Sequence, residues 1–220
     1  TLVTSTINSS LYPIPWSFAW NGSTMLAGTS SGLFRSTNNG TDWTQAAGTG
    51  LEGVITSGMQ LVFHNGVLYC GTPGLLGGTG YLLKSTNNGN SWSQLTNTLP
   101  SYQRRALQAF ASVGDMFYVG LGVFGVYRTS DGGGTWEPRS GGFPLKPVTY
   151  SMIKVGQRVL AGTSSGIYQS SNNGFNWYQS QEGIEPVGYP KITALAANGD
   201  TVYAGSDQGR AYRSVDGGRT

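Results

Sequence analysis

The amino-acid sequence predicts an all-β fold, a β-propeller of five four-stranded antiparallel blades. Three observations carry that expectation: a short phrase recurs five times, the same order of strand-forming segments precedes each copy, and the composition is that of a turn-rich β protein. The phrase reads Ser36-Thr-Asn-Asn-Gly-Thr-Asp-Trp43, Ser85-Thr-Asn-Asn-Gly-Asn-Ser-Trp92, Thr129-Ser-Asp-Gly-Gly-Gly-Thr-Trp136, Ser170-Ser-Asn-Asn-Gly-Phe-Asn-Trp177 and Ser214-Val-Asp-Gly-Gly-Arg-Thr220. Copies start at residues 36, 85, 129, 170 and 214, so successive starts differ by 49, 44, 41 and 44 residues, a period that belongs to solenoids, propellers and arrays. Of 220 residues, 35 are glycine, 12% are aromatic and only 10% are charged, which suits strands joined by many tight turns around an apolar core.

The elements follow in a fixed order. First strands are apolar runs closed by tight turns at Asn21-Gly22, Asn65-Gly66, Val113-Gly114, Val155-Gly156 and Asn198-Gly199, three of them Asn-Gly, the strongest short hairpin signal. Second strands are small-residue segments ending in Gly: Met25-Leu-Ala-Gly28, Leu68-Tyr-Cys-Gly71, Phe117-Tyr-Val-Gly120, Val159-Leu-Ala-Gly162 and Val202-Tyr-Ala-Gly205. Third strands contain Leu33-Phe34-Arg35, Leu82-Leu83-Lys84, Val126-Tyr127-Arg128, Ile167-Tyr168-Gln169 and Ala211-Tyr212-Arg213, and each leads into the phrase. Within the phrase an Asn or Asp (Asn38, Asn87, Asp131, Asn172, Asp216) supplies a side-chain oxygen for backbone N–H groups, and a Gly two residues on (Gly40, Gly89, Gly133, Gly174, Gly218) supplies a positive φ. The Trp that ends it (Trp43, Trp92, Trp136, Trp177) opens the fourth strand as a packing anchor. An indole buries roughly 150–250 Å², or about 4–6 kcal/mol per repeat as an upper bound.

The fifth copy reads only to Thr220, and the first 15 residues belong to no complete repeat. Residues 1–8 are therefore expected to run as the fourth strand of the last blade, closing the ring and removing an exposed edge. The same strand could instead complete a neighbour's blade and polymerise the chain, or the 220 residues could be cut from a propeller with more blades. The domain expectation is a single propeller over residues 1–220.

The pattern Ser/Thr-x-Asp/Asn-x-Gly-x-x-Trp resembles the Asp-box, or bacterial neuraminidase repeat. The resemblance spans almost the whole chain, and it implies a hairpin turn between the third and fourth strands of each blade. Asn38, Asn87 and Asn172 stand where that family more often has Asp, which keeps the acceptor and weakens any cation-binding role. Two enzyme groups are built on such repeats. Sialidases need an arginine cluster and a Phe/Tyr-Arg-Ile-Pro motif, but here Tyr12-Pro13-Ile14-Pro15 has Pro where Arg is required. Xyloglucan-cleaving propellers pair carboxylates across two domains. The acids outside the phrases are Glu52, Asp115, Glu137, Glu182, Glu185, Asp200 and Asp207, with Asp115 and Asp200 expected in hairpin turns. A non-enzymatic role is expected, with a glycoside hydrolase as the lesser alternative, and the chain is similar to non-enzymatic Asp-box photosystem assembly factors and sortilin-type receptors.

Other chemistries lack their parts. With one Cys and one His, a zinc site or a nucleophilic triad cannot be assembled, so no metal or cofactor is expected. Cys70 shares a register with Ala27, Val119, Ala161 and Ala204 and reads as a small buried strand residue, and His64 reads as a solvated turn residue. A net charge of +3 with dispersed cations gives no nucleic-acid-binding face. No run of 18 apolar residues spans a membrane. The start at Thr1 fits signal removal or excision from a precursor.

Recognition remains, and the resemblance places the usual binding surface on the face opposite the phrases, for a protein or glycan partner. That face is expected to carry the insertion Thr72-Pro-Gly-Leu-Leu-Gly-Gly-Thr-Gly80, with Leu75 and Leu76 either exposed for contact or folded inward. Tyr12, Trp16, Tyr102, Arg104, Arg105, Phe143 and Tyr189 in the interblade segments join it, either as recognition anchors or as packing residues. Arg35, Lys84, Arg128 and Arg213, with Gln169 as the exception, precede the phrase. They form a ring of charge, or their stems cover the next Trp while the heads stay in water. Two readings follow: an extracellular, cell-surface or periplasmic binding module, or a structural subunit of a filament or surface layer that self-associates, favoured by low surface charge.

Overall fold

The computed structural model describes residues 14–46, 49–51, 59–72, 80–95, 99, 107–143, 147–180, 182–184 and 190–220. The fold is all-β, of the β-propeller class, built from five antiparallel blades. The chain forms two compact units, residues 1–107 and 108–220.

The first unit holds two blades. One is β1 (Pro15–Trp20), β2 (Met25–Thr29), β3 (Gly32–Ser36) and β4 (Thr44–Gln45), and the other is β5 (Gln60–His64), β6 (Val67–Thr72), β7 (Tyr81–Ser85) and β8 (Ser93–Gln94). The third blade, β9 (Leu107–Val113), β10 (Met116–Leu121), β11 (Val126–Thr129) and β12 (Glu137–Pro138), opens the second unit. The fourth is β13 (Thr149–Val155), β14 (Arg158–Thr163), β15 (Gly166–Ser170) and β16 (Tyr178–Gln179). The fifth has three strands among the described residues: β17 (Ile192–Asn198), β18 (Thr201–Ser206) and β19 (Ala211–Ser214). Residues 1–8, expected as its fourth strand, lie outside the described residues.

Second strands are the buried centre of the first four blades, as small side chains in Gly-terminated segments require. Ala27, Cys70, Val119 and Ala161 are buried, each paired with the middle residue of its third strand, Phe34, Leu83, Tyr127 and Tyr168. Burial pushes the Cys70 thiol well above its ordinary range. The first-to-second turns differ from the expected placement in detail. Val155 pairs with Arg158 and Asn198 with Thr201, so the loops are Gly156-Gln157 and Gly199-Asp200, with Gly first and at positive φ, 58° and 59°. That is the type II′ arrangement, whereas Asn65-Gly66, both at positive φ, is type I′. Asn21 caps a four-residue loop, its Oδ1 accepting from the N–H groups of Ser23 and Thr24 at 3.1 and 2.9 Å. His64 is not a solvated turn residue: it ends β5, is buried and lies tilted against Tyr69 at a ring distance of 6.2 Å.

A clasp joins consecutive blades within each unit. The backbone N–H of Trp92 donates to the Thr49 carbonyl and that of Trp177 to the Gly141 carbonyl, both at 2.8 Å. Gly50 and Gly142 follow these carbonyls at φ 90° and 83°, and a Cβ there would lie 2.2 Å from the Trp92 oxygen and 2.4 Å from the Trp177 oxygen. Only glycine permits both the left-handed backbone and the close approach. The next residues, Leu51 and Phe143, pack on the cores that contain Trp92 and Trp177.

Candidate functional site

The repeated phrase folds as one turn, five times. The Ser36 hydroxyl donates to Asn38 Oδ1 at 2.9 Å and accepts the Gly40 N–H at 2.9 Å, while Asn38 Oδ1 also accepts the Asp42 N–H at 2.9 Å. Ser85 and Asn87, Thr129 and Asp131, Ser170 and Asn172, and Ser214 and Asp216 repeat the arrangement. Two successive residues, not one, sit at positive φ: Asn39 and Gly40, Asn88 and Gly89, Gly132 and Gly133, Asn173 and Gly174, Gly217 and Gly218. The first of each pair is Asn or Gly, the residues that tolerate that region best. The N–H of Thr135 and the hydroxyls of Thr129 and Thr135 hold the Asp131 carboxyl well below the usual carboxylate range. The Ser214 hydroxyl, with the N–H and hydroxyl of Thr220, does the same for Asp216. These acids serve the turn.

Two of the cations before the phrase, Arg35 and Arg128, reach the next blade's turn. Arg35 donates to the Asn90 side chain, and Arg128 donates to the Asn173 carbonyl at 3.3 Å. Arg128 is buried rather than water-facing, paired with Glu137 at 2.7 Å and set 5.5 Å from the Phe175 ring. Hydrogen bonding from Arg128 and the nearby Arg139 charge lower the Glu137 carboxyl. Where Gln169 breaks the pattern, Arg158 on the neighbouring strand substitutes: it donates to the Gly217 carbonyl at 2.8 Å and to Gln169 Oε1 at 2.5 Å. Gly217 and Asn173 are equivalent first left-handed residues, so the same acceptor meets a guanidinium from a different strand.

Of the residues expected to bind a partner, Tyr12, Leu75, Leu76, Tyr102, Arg104, Arg105 and Tyr189 lie outside the described residues. Phe143 is a packing residue, stacked on Trp177 at 5.1 Å and 17° and edge-on to Tyr168 at 5.0 Å. Trp16 is exposed. It sits where the β1–β2 register shifts between Pro15 and Ser17, at the end of its blade away from the Ser36–Trp43 turn. Ser17 and Ala19 face inward: the Ser17 hydroxyl donates to the Met59 carbonyl at 2.7 Å and Ala19 is buried. The strand alternation then turns Phe18 and Trp20 outward. Ile14, Trp16, Phe18 and Trp20 are 58%, 48%, 57% and 62% exposed, and the Trp43 indole meets Phe18 edge-on at 6.2 Å. An aromatic strip thus runs the length of β1. The apolar excess of Pro15-Trp-Ser-Phe-Ala-Trp20 was the signal for it, an outward face as aromatic as the inward one is small.

No group of three or more His, Cys, Asp or Glu among the described residues is placed to hold a metal ion. No helix among them is long and apolar enough to cross a membrane. The strip can stack on a flat apolar surface and donate from its indole N–H groups.

No protein-family model matches this chain, and no curated protein matches it. Solved structures do. The chain is similar to the protein YCF48 bound to a D1 peptide, at 16% identity and a TM-score of 0.64 over 94% of this chain and 65% of that one. It is also similar to the GH74 xyloglucanase of Xanthomonas campestris, at 16% identity and a TM-score of 0.65 over 91% of this chain and 37% of that one. A third likeness is to the extracellular domain of the two-component system BT4673 of B. thetaiotaomicron, at 15% identity and a TM-score of 0.69 over 91% and 27%. The chain spans less than two thirds of each of these structures, and at such identity the likeness establishes the β-propeller fold alone.

Proposed function

We propose that this chain is a non-catalytic recognition propeller of the Asp-box group, acting outside the cell or at its surface, and that it holds a protein or glycan partner. The observation that carries the reading is the aromatic strip of Trp16, Phe18 and Trp20, each about half or more exposed on one strand. Large exposed aromatic arrays mark contact surfaces, since rings offer apolar area at low entropic cost with a polar handle. The turn acids Asp131 and Asp216 are engaged by their own turns, which supports recognition over acid catalysis. Among the similar structures, one is bound to a peptide and one is an extracellular domain.

The test is a glycan array and a cross-linking pull-down run with the native chain and with a Trp16→Ala/Trp20→Ala variant that folds normally by circular dichroism. Retention that depends on both tryptophans is the expected result. Retention unchanged by the double substitution, or catalytic hydrolysis of xyloglucan or sialosides by the native chain, refutes it. A second reading, a self-associating structural subunit, is supported by the low charged fraction of the chain, 10%. Mass photometry separates the two: a strand-exchanged polymer stays large on dilution, whereas a binding module reads near 23 kDa.

A further inference from the structure

Two equivalent junctions in the second unit carry different charges. Between the third and fourth blades, Arg128 and Arg139 both donate to Glu137 Oε2, and their guanidiniums lie 5.5 and 4.1 Å from the centre of the Phe175 ring. Strand pairing and the repeated phrase give the counterparts between the fourth and fifth blades. Gln169 pairs with Tyr178 as Arg128 pairs with Glu137, and Ser180 donates its N–H to the Ile167 carbonyl as Arg139 does to that of Val126. Arg219 is the sixth residue of its phrase, as Phe175 is of its own. A phenol therefore stands in place of the carboxylate, and a guanidinium in place of the phenyl ring. A second guanidinium, Arg158, arrives from β14 beside Gln169. A cavity of about 370 Å³ opens there, lined by Arg158, Gln169, Ser171, Tyr178 and Arg219. Neither arginine forms an ion pair among the described residues. Burial and the Arg219 charge lower the Arg158 guanidinium by more than the Asp200 and Asp216 carboxylates raise it, and the Asp216 carboxyl is taken up by Ser214 and Thr220 of its own turn.

We infer that Arg158, Arg219, Ser171 and Tyr178 form a binding site for the sulfate or phosphate ester of a sugar, separate from the β1 strip. The guanidiniums supply the charge. Each has about five N–H donors; Arg158 commits one to Gln169 and one to the Gly217 carbonyl, and Arg219 commits one to the Asp216 carbonyl. The others are available to ester oxygens, and charge-assisted bonds from arginine to an oxyanion are among the strong ones. Ser171 adds a neutral hydroxyl donor from the fourth turn. Donors on four segments, β14, β16 and two turns, approach from more than one plane, which matches the tetrahedral oxygens of an ester. A flat carboxylate is what the two arginines of the third blade hold. Tyr178 is 62% exposed and sets an aromatic face with a polar tip beside the cations, a surface that suits the apolar face of a sugar ring. With one ring and otherwise polar walls, the cavity has no place for an acyl chain. Its volume falls at the lower end of ligand sites, which begin at roughly 300 Å³, the size for one sugar and its ester.

The probes are glucose 6-sulfate and glucose 6-phosphate, titrated into the 220-residue chain by calorimetry and by NMR of the arginine side-chain N–H groups. Saturable binding of at least one ester is expected, with shifts at Arg158 and Arg219, and the tighter of the two names the source of the oxyanion. Arg219→Gln should weaken binding at least tenfold through loss of a charged donor. Because Arg219 is exposed, that variant should melt within a few degrees of the native chain. Tyr178→Ala should weaken both sugar esters at least threefold and leave inorganic sulfate and phosphate unaffected. Trp16→Ala/Trp20→Ala should leave ester binding unchanged, so a failure of the aromatic strip as a recognition surface and a failure of this site are read separately. No saturable binding of either ester, or equal binding by Arg219→Gln and the native chain, overturns the inference. Glucuronate bound as tightly as the esters overturns the assignment of a tetrahedral oxyanion. Inorganic sulfate or phosphate bound as tightly as its glucose ester overturns the role given to the sugar.

Discussion

Replacing Trp177 by alanine and, separately, Trp43 by alanine sets two identical sequence positions against each other. Trp177 is 1% exposed, stacks on Phe143 at 5.1 Å and donates from Nε1 to the Arg139 carbonyl at 2.8 Å. Burying an indole of roughly 150–250 Å² is worth about 4–6 kcal/mol as an upper bound, and core tryptophan-to-alanine changes cost about 3–5 kcal/mol. Trp43 is only half-buried, meets Phe18 edge-on at 6.2 Å and donates within its own turn to the Gly40 carbonyl at 3.0 Å. Its hydrogen bond is part-buried and stays within its own turn, and its loss should cost about 1–2 kcal/mol from the smaller area covered. Urea unfolding followed by intrinsic fluorescence and circular dichroism measures both. The expected order is a fall in midpoint for Trp177→Ala at least twice that for Trp43→Ala. Equal falls would mean that the turn, not the clasp between blades, consumes the indole's burial, and the account of blade joining would be wrong.

Asp131→Asn should keep the fold, since Asn occupies this position in three other turns. The native carboxyl has its folded pKa depressed, so it stabilises above the ordinary aspartate range near 3.8, and that contribution fades as pH falls through the lower folded value. Unfolding midpoints measured from neutral to acid pH should therefore converge for the two proteins as pH falls. Divergence on acidification would contradict the assignment. Arg158→Ala should cost about 1–2 kcal/mol in urea unfolding, because the Gly217 carbonyl loses a charged donor, and Arg158→Lys should recover part of it. An Arg158→Ala variant as stable as the native chain would remove the proposed substitution for Gln169. Cys70, fully buried with its pKa raised, should react with a thiol reagent only at the rate of unfolding. Prompt labelling of the folded chain would place it at the surface.

Much of this architecture is legible in the sequence because it is local. The Ser/Thr, Asn/Asp and Gly of the turn bond to one another within five residues, so the phrase specifies its own conformation. Register likewise follows from chain neighbours: Cys70 is buried as its alignment with Ala27 and Ala161 requires. His64 was misread because a residue flanking a two-residue loop can be covered or exposed, and what covers this one is its packing against Tyr69. The clasp was missed although a Gly followed by an apolar residue lies seven residues after Trp43 and six after Trp136 and Trp177. Its meaning depends on the partner that approaches it.

The sequence by itself determined the five repeats, the strand order within each blade and the turn that ends it, since each arises from bonds between residues a few positions apart. Only the tertiary structure decided that Trp177 is buried while Trp43 is half-covered, that Arg158 takes over at Gln169, that Phe143 stacks on Trp177, and that β1 turns its aromatic side outward. Those outcomes depend on which surface meets a side chain from another blade, a contact between residues tens of positions apart that a phrase repeated with the same turn residues in each blade does not encode.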